Sequence, residues 1–508
     1  MIQGHGAVTF VLHNRPASSL RFSRMQPYPT LAAIDLGSNS FHLQVGRVEG
    51  EQLFYLDAIK ESVRLAGGLN ANKRLDAASQ RRALNCLARF AERLRGMPAG
   101  AVRAVGTSAL RVARNAPEFL EKARAALGFE IEIVAGREEA RLIYLGVSHS
   151  LPLIPQTRLV VDIGGGSTEC IIGNGYEPRD RESLRMGCVL FSNQYSPEGR
   201  IDRAAMKAAE IAARIETRIV AGPVFGRGGW VEAVGSSGTA RALGELCRSN
   251  GYSDGAITLD GLHWLREHLV KLGSVDLLDI PGLKPDRRPV IAGGLAIMLA
   301  IFEELGVERM NVALGAMREG ILWDMLGRVH DRDMRDVTVS QFQRRYQVDM
   351  AQALRVETQA LGLFQPEETE ARQRLAWAAR LHEIGISIAH SGFHKHGAYI
   401  LENADMPGFS RRDQAFIALL VRAGHGSLGK LALAADAWQL ILCLRLGQLF
   451  NMSRSDATPP PPLALRCAAG VCQLSVLCDW LKDNPLTRAA LEEEVREWAT
   501  AGLRLELA

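Results

Sequence analysis

Apolar residues in this chain first appear in short runs that break at glycine. Ala32-Ala33-Ile34-Asp35-Leu36 leads into Gly37-Ser38-Asn39-Ser40, and a second apolar stretch, Phe41 to Val45, follows. Val160-Val161-Asp162-Ile163 leads into Gly164-Gly165-Gly166-Ser167, with Cys170 to Ile172 after it. An apolar run, a glycine-bearing turn and another apolar run predict a β-hairpin. Both copies fit apolar-apolar-Asp-apolar-Gly-x-x-Ser and lie 127 residues apart. That repeat predicts two α/β lobes of related design, each presenting a turn to a shared cleft.

Other segments fit the same plan. Val102 to Thr107 predicts a strand running into a helix near Ser108. Ile131 to Val134 predicts another strand, after which Gly136-Arg137-Glu138-Glu139-Ala140 opens a helix with acids in its first turn, where the dipole favours them. Val231 to Thr239 reads as strand, glycine turn and helix, and Gly293-Gly294 and Gly315 read as two more such junctions. Strands alternating with helices predict an α/β fold.

After about residue 328 the period changes. Val337 to Leu449 shows helical spacing, with Leu375, Ala378, Ala379 and His382 on one stripe. Pro459 to Pro462 marks a linker, and the tail from Leu463 pairs a strand-like part with a charged helix, Leu491 to Thr500. The expected organisation is a disordered or over-extended start (1–24), lobe I (25–142), lobe II (143–328), a helical domain (329–462) and a small α/β cap (463–508).

Composition narrows this picture without redirecting it. A chain of 508 residues exceeds one hydrophobic core, and 47% hydrophobic with 23% charged residues is ordinary for globular proteins. A formal charge of +4 at this length does not argue for nucleic acid, so any taste for polyanions must come from local clustering. The longest uncharged apolar run, Val290 to Phe302, has 13 residues; it is short for a membrane span and predicts a buried element. Eight cysteines without a Cys-x-x-Cys pair suggest neither a zinc site nor a disulfide framework, and reduced thiols in a cytoplasm are the default. Arg15, Arg21 and Arg24 without acids resemble a transit peptide, but no cleavage pattern follows them.

The candidate chemistry is phosphate binding. A phosphate needs backbone N–H donors, and glycine lets the main chain approach and turn closely enough to supply them. The Gly37, Gly164 and Gly235-Ser236-Ser237-Gly238-Thr239 turns are three such places; the bland alternative is three tight turns with no ligand. Asp35 and Asp162 end their strands equivalently, and a buried acid at a strand end needs a partner. Magnesium suits them, being held through few carboxylates and several waters beside phosphates, and Glu169 completes the set.

These motifs resemble those of the exopolyphosphatase/guanosine pentaphosphate phosphohydrolase family, within the superfamily of actin, sugar kinases and heat-shock chaperone ATPases. The likeness rests on the Asp35, Asp162 and Gly235 turns, on Gly106-Thr107-Ser108-Ala109-Leu110-Arg111 and on Gly136 to Arg141. It continues through Gly315-Ala316-Met317-Arg318-Glu319-Gly320 to Leu381-His382-Glu383-Ile384-Gly385, and is strongest to bacterial exopolyphosphatases. It implies a two-lobed actin-like (ribonuclease H-like) α/β half, an all-α HD-like domain and a cap. The implied activity is release of orthophosphate from the ends of inorganic polyphosphate; hydrolysis of guanosine pentaphosphate (pppGpp), with a place in the stringent response, is the rival.

By the same resemblance, Glu139 is the general base; choosing it over Glu138 rests on motif position. Asp162 and Glu169 hold Mg2+, with a monovalent cation as a further candidate. Asp35, Gly37, Ser38, Asn39, Ser40, Thr107 and Ser108 bind phosphate, with Arg111 offsetting charge. So do Gly164, Gly165, Gly166, Ser167, Thr168, Gly235, Ser236, Ser237 and Gly238. A bacterial cytoplasmic homodimer with no integral membrane segment, at most loosely membrane-associated, is expected.

In the helical domain His382-Glu383 stands where an HD phosphohydrolase carries His-Asp, so a working second metal site is not expected. His394, Lys395, His396, Arg411 and Arg422 are read as a path for a long polyanion, against the plainer reading of solvated helix faces. From another class, an actin-like nucleotide-binding chaperone or scaffold is the alternative.

Overall fold

The computed structural model describes residues 28–50, 52–329, 333–429, 437–456, 460–468 and 470–507. The expected irregular start at 1–24, and Pro459 of the linker, lie outside the described residues.

Lobe I is built on β1 (Thr30–Leu36), whose residues are buried almost throughout, as a strand covered on both faces requires. β2 (Ser40–Glu49), β3 (Gln52–Ser62), β4 (Val102–Gly106) and β5 (Ile131–Ile133) complete a sheet of order β3-β2-β1-β4-β5. β1 runs antiparallel to β2, with Asp35 opposite His42, and parallel to β4. Lobe II repeats the plan with β6 (Thr157–Ile163), β7 (Thr168–Asn174), β8 (Glu177–Leu184), β9 (Glu232–Ser236), β10 (Ile257–Thr258) and β11 (Arg309–Val312). Its order reads β8-β7-β6-β9-β11, with β10 added outside β11. Asp162 faces Glu169 across the β6–β7 hairpin and Ser236 on parallel β9. The same strand order and orientations, twice over, are the layout of an actin-like fold. Each central strand delivers its Asp at the carboxyl end, where open α/β sheets bind ligands.

Two helices join the lobes. Gly136–His149 leaves lobe I and packs on β7 and β8, while Met317–Val329 leaves lobe II and packs on β1 and β2. They cross at glycines: a Cβ on Gly146 would overlap the Ala316 carbonyl, and one on Gly320 the Leu142 carbonyl.

The Val290-to-Phe302 run forms a helix, Ile291–Leu305, nearly all of it buried. Gly293 and Gly294 therefore lie within a helix, contrary to their expected place at a strand–helix junction. Close packing is the reason: a Cβ on Gly293 would stand 2.6 Å from the Cys188 carbonyl oxygen, and one on Gly294 2.6 Å from Thr239 Cγ2. Gly315 does fall between β11 and the helix that follows.

Helices dominate from Met334 to Phe450, and Leu375, Ala378, Ala379 and His382 are all buried. β12 (Ala464–Ala468), β13 (Val471–Ser475) and β14 (Arg504–Leu507) form a small sheet beside the helix Pro485–Thr500. Leu465, Leu474, Leu491 and Trp498 of this cap share one core with the helical domain. Cys467 and Cys472, paired in the β12–β13 register, are joined as a disulfide, which corrects the expectation of none. Their spacing carries no sequence motif; the hairpin brings them together. Among the described residues no helix is long and apolar enough to cross a membrane.

Candidate active site

The two Asp-led turns meet. In the β1–β2 turn a Cβ on Gly37 would stand 2.8 Å from the Ser40 carbonyl oxygen, so this turn needs glycine. The Ser38 hydroxyl accepts from the Ala109 amide (3.2 Å), tying the turn to the segment after β4. Across the gap, a Cβ on Gly165 would lie 3.1 Å from Ser38 Cβ and 3.2 Å from the Asn39 nitrogen. The backbones of the two lobes approach this closely because Gly165 has no side chain.

Between them lies a cleft of about 120 Å³. Gly37 to Ser40 and Gly164 to Ser167 form two sides, with Thr107, Ser237 and Gly238 closing others; Asp35, Glu139 and Asp162 also face it. Ser237, at the start of the helix Ser237–Ser249, has φ of 79°, an uncommon conformation for a residue with a side chain. Its hydroxyl and that of Thr239 both donate to the Ile163 carbonyl (3.0 Å each), which holds the third turn against the second.

Acids gather here, and burial with mutual repulsion pushes Asp35, Asp162 and Glu169 up. Asp35 rises to about 8, first from desolvation and then from Glu139, and its Oδ1 has no hydrogen-bond partner. Asp162 rises to about 6 through burial, partly offset by the Ser236 hydroxyl. Glu169, directly behind Asp162, is raised well above the carboxylate range by burial and by Glu139, although the Ser183 hydroxyl donates to it (2.8 Å). A concentrated buried negative charge with an orphaned oxygen is the electrostatic complement of a cation. Asp35, Asp162 and Glu169 fit magnesium on that ground. Among the described residues no three His, Cys, Asp or Glu side chains converge as a ready metal cage.

Glu139 and its neighbour Glu138 face different surroundings. Arg111 Nη1 donates to Glu139 Oε2 (2.6 Å) and to the Val134 carbonyl (3.1 Å). Arg111 thus anchors the carboxylate and does not line the cleft, where it was expected to offset phosphate charge. Ser108 sits behind the Gly166 turn, 2.9 Å from where a Cβ on Gly166 would stand. Thr168 donates to the Met186 carbonyl (2.7 Å) and Ser236 to the Gly315 carbonyl (3.1 Å); neither these nor Gly235 lines the cleft.

The positive charge on the cleft comes from residues the sequence reading did not single out, Arg241, Arg287 and Arg318; His42 also lines it but is uncharged. Arg318 lies in the quoted Gly315-to-Gly320 motif and Arg241 two residues past the third turn, so proximity to motifs was the available signal. Arg287, whose guanidinium packs against Gly238, comes from the turn Pro285–Val290 and has no local signature.

The polyanion-path residues sit elsewhere. His394, Lys395 and His396 are on the helix Phe393–Asn403, and Arg411 and Arg422 on Arg411–Ala423; none lines the cleft. Lys395, Arg411 and Arg422 are exposed, while His394 packs against Phe393 and His425 and is lowered to about 4, chiefly by burial. His382 Nδ1 is 2.7 Å from the Ala379 carbonyl oxygen, and Arg454 pairs with Glu383, leaving that acid neutralised by protein.

Known proteins resemble this chain. An exopolyphosphatase from Cytophaga hutchinsonii superposes with a TM-score of 0.53 at 23% identity, over 58% of this chain and 97% of that one. An exopolyphosphatase-like protein gives 0.52 at 21% identity, over 59% and 99%. The PPX-GPPA enzyme of Aquifex aeolicus gives 0.49 at 25% identity, over 58% and 98%. Residues 45–329 match the Ppx/GppA phosphatase family and residues 334–495 match domain III of Ppx/GppA phosphatases. The chain belongs to the Ppx/GppA phosphatase family.

Proposed function

We propose that this phosphatase removes terminal phosphate from inorganic polyphosphate by attack of water. The observation that carries the reading is Glu139 facing a cleft formed by two Asp-led turns from matching lobes. The turn amides bind the phosphate oxygens, and Arg241, Arg287 and Arg318 offset charge on the terminal group and its neighbour. Arg111 occupies Glu139 Oε2, which leaves Oε1 to accept from the water. As the water oxygen bonds to the terminal phosphorus, its proton passes to Glu139. The bond to the bridging oxygen breaks, and that oxygen leaves on the shortened chain. Such a reaction asks for in-line water, a positioned carboxylate and positive charge on the oxygens. Magnesium held by Asp35, Asp162 and Glu169 would supply further positive charge on the phosphates.

One observation favours guanosine pentaphosphate as a second substrate. A chamber of about 1030 Å³ opens beside the cleft and shares His42, Gly238, Arg241, Arg287 and Arg318 with it. Lys60, Arg248 and Lys284 add charge, and Leu43, Ile59, Leu283 and Val312 give an apolar wall suited to a base. The exposed cations of the helical domain remain a candidate track for long chains, which predicts a steeper salt dependence for long than for short polyphosphate.

The test is phosphate release from polyphosphate of defined length and from pppGpp, at equal concentration, with and without magnesium. We expect magnesium-dependent release from polyphosphate, lost by about 100-fold or more in Glu139→Gln while binding persists. Tight ATP binding without release from either substrate would overturn the reading in favour of a nucleotide-binding scaffold.

A further inference from the structure

Among the described residues four hydrogen bonds connect the helical domain to the lobes, and they are not scattered. The Gly408 amide donates to Glu138 Oε2 (2.9 Å), and Arg137 Nη1 donates to Asp405 Oδ2 (2.6 Å). Arg412 Nη1 donates to Glu130 Oε2 (2.8 Å), and Arg328 Nη2 to the Gly408 carbonyl (3.2 Å). Three of the four therefore land between Glu130 and Glu138, on the residue just before β5 and on the first turn of the helix that carries Glu139. The fourth comes from Arg328, itself 3.2 Å from Asp324.

Glu138 is the centre of this joint. Arg141 grips it with two bonds of 2.8 Å, and the same guanidinium reaches Asp324 at 2.6 Å. Arg103, on β4, completes the set with a 2.6 Å bond to Asp324 and 3.1 Å bonds to Glu132. Glu138, Arg141, Asp324 and Arg103 are all at most 6% exposed. Inside such a low-dielectric network each member is held by charge-assisted bonds, and displacing one leaves another unpaired. Consecutive residues on a helix point about 100° apart. Clamping Glu138 therefore sets the rotation of the turn from which Glu139 reaches the cleft. Gly408 completes the clamp from the far side: its φ is 87°, and a Cβ there would stand 3.0 Å from Arg335 Cγ and the Arg335 nitrogen.

We infer that Glu138 is a positioning residue through which the helical domain, by way of the Gly408 amide, aims Glu139 at the cleft. The inference rests on Glu139 as the base. Domain III is then a working part of the hydrolytic machinery, one whose docking state sets turnover while the phosphate turns keep their own geometry.

The test uses the full chain and polyphosphate as substrate. Glu138→Gln keeps an acceptor for Gly408 but removes the charge facing Arg141. Gly408→Ala disturbs the joint from the helical domain, at a residue that does not line the cleft. Misplacement of a reacting group by about 1 Å costs on the order of 100-fold. We therefore expect kcat to fall by about 30-fold or more in Glu138→Gln and about 10-fold in Gly408→Ala, with KM within about threefold of the parent. Hydrogen exchange at amides 136–141 should quicken in both variants while circular dichroism shows them folded at the assay temperature. A folded Gly408→Ala protein with parental kcat would overturn the inference, and this arm decides the matter if Glu138→Gln does not fold. Glu139→Gln separates the two readings. If it hydrolyses normally, the base assignment fails. If it is inactive while both joint variants turn over normally, only the coupling fails.

Discussion

The β1–β2 hairpin of lobe I and the β6–β7 hairpin of lobe II have the same strand order and the same Asp-led turn, yet they treat that Asp differently. Asp162 has Glu169 opposite it, itself held by Ser183, and the Ser236 hydroxyl beside it; its carboxyl rises to about 6. Asp35 has His42 opposite it, and that imidazole is lowered to about 3 by burial and by Arg318 and Lys60, so it brings no charge. With Oδ1 unpartnered, Asp35 rises to about 8. A duplicated backbone plan has thus not duplicated the electrostatics. Lobe II comes with neighbours for its acid, whereas lobe I leaves its acid to be satisfied by a proton or by a bound cation and its phosphate.

The largest effect that sharpens this contrast is in Asp35→Asn. It should cut turnover by about 100-fold or more while raising the melting temperature of metal-free protein at pH 8, because a buried, unpaired charge is removed. Asp162→Asn should lose comparable activity with a smaller gain in stability. A lower melting temperature for Asp35→Asn in chelator would break the comparison.

Next comes the contact between the hairpins. Gly165→Ala pushes a methyl against Ser38 and Asn39, and we expect about a tenfold rise in KM with little change in fold, read from steady-state kinetics and circular dichroism.

The pH dependence is subtler. The folded-state value of Asp35, about 8, lies above its ordinary value of about 4, so over that window the native protein binds more protons than the unfolded chain. Metal-free stability should therefore fall as pH rises from about 4 to about 8. Melting curves should lose much of this slope in Asp35→Asn or with magnesium present. An unchanged slope in the variant would assign the effect to other groups. The smallest effect is in Ser183→Ala, which removes one hydrogen bond from Glu169 and should cost about 1 kcal/mol or less in a denaturant titration.

Local chemistry made much of this protein readable before its structure. Apolar runs, helical spacing and glycine at the turns are short-range properties, so both hairpins, both Asp residues, the helix opening at Gly136 and the change to helices near residue 328 follow from neighbours in the chain. Gly293-Gly294 misled because glycine marks close approach as well as turns, and the neighbours that demand it, Cys188 and Thr239, are distant in sequence. The Cys467–Cys472 bond likewise depends on a hairpin register that no spacing announces.

What only the tertiary structure decided is which charges meet. Arg287 arrives at the cleft from a turn without a motif, and Arg111 turns to Glu139. Two adjacent, identical acids part company, Glu138 into a buried joint with Gly408 and Glu139 toward the cleft. Backbone sterics and periodicity act over a few residues and are written into the order of amino acids. The burial and pairing of a charge depend on which distant surfaces pack around it, and packing is settled only when the whole chain has folded.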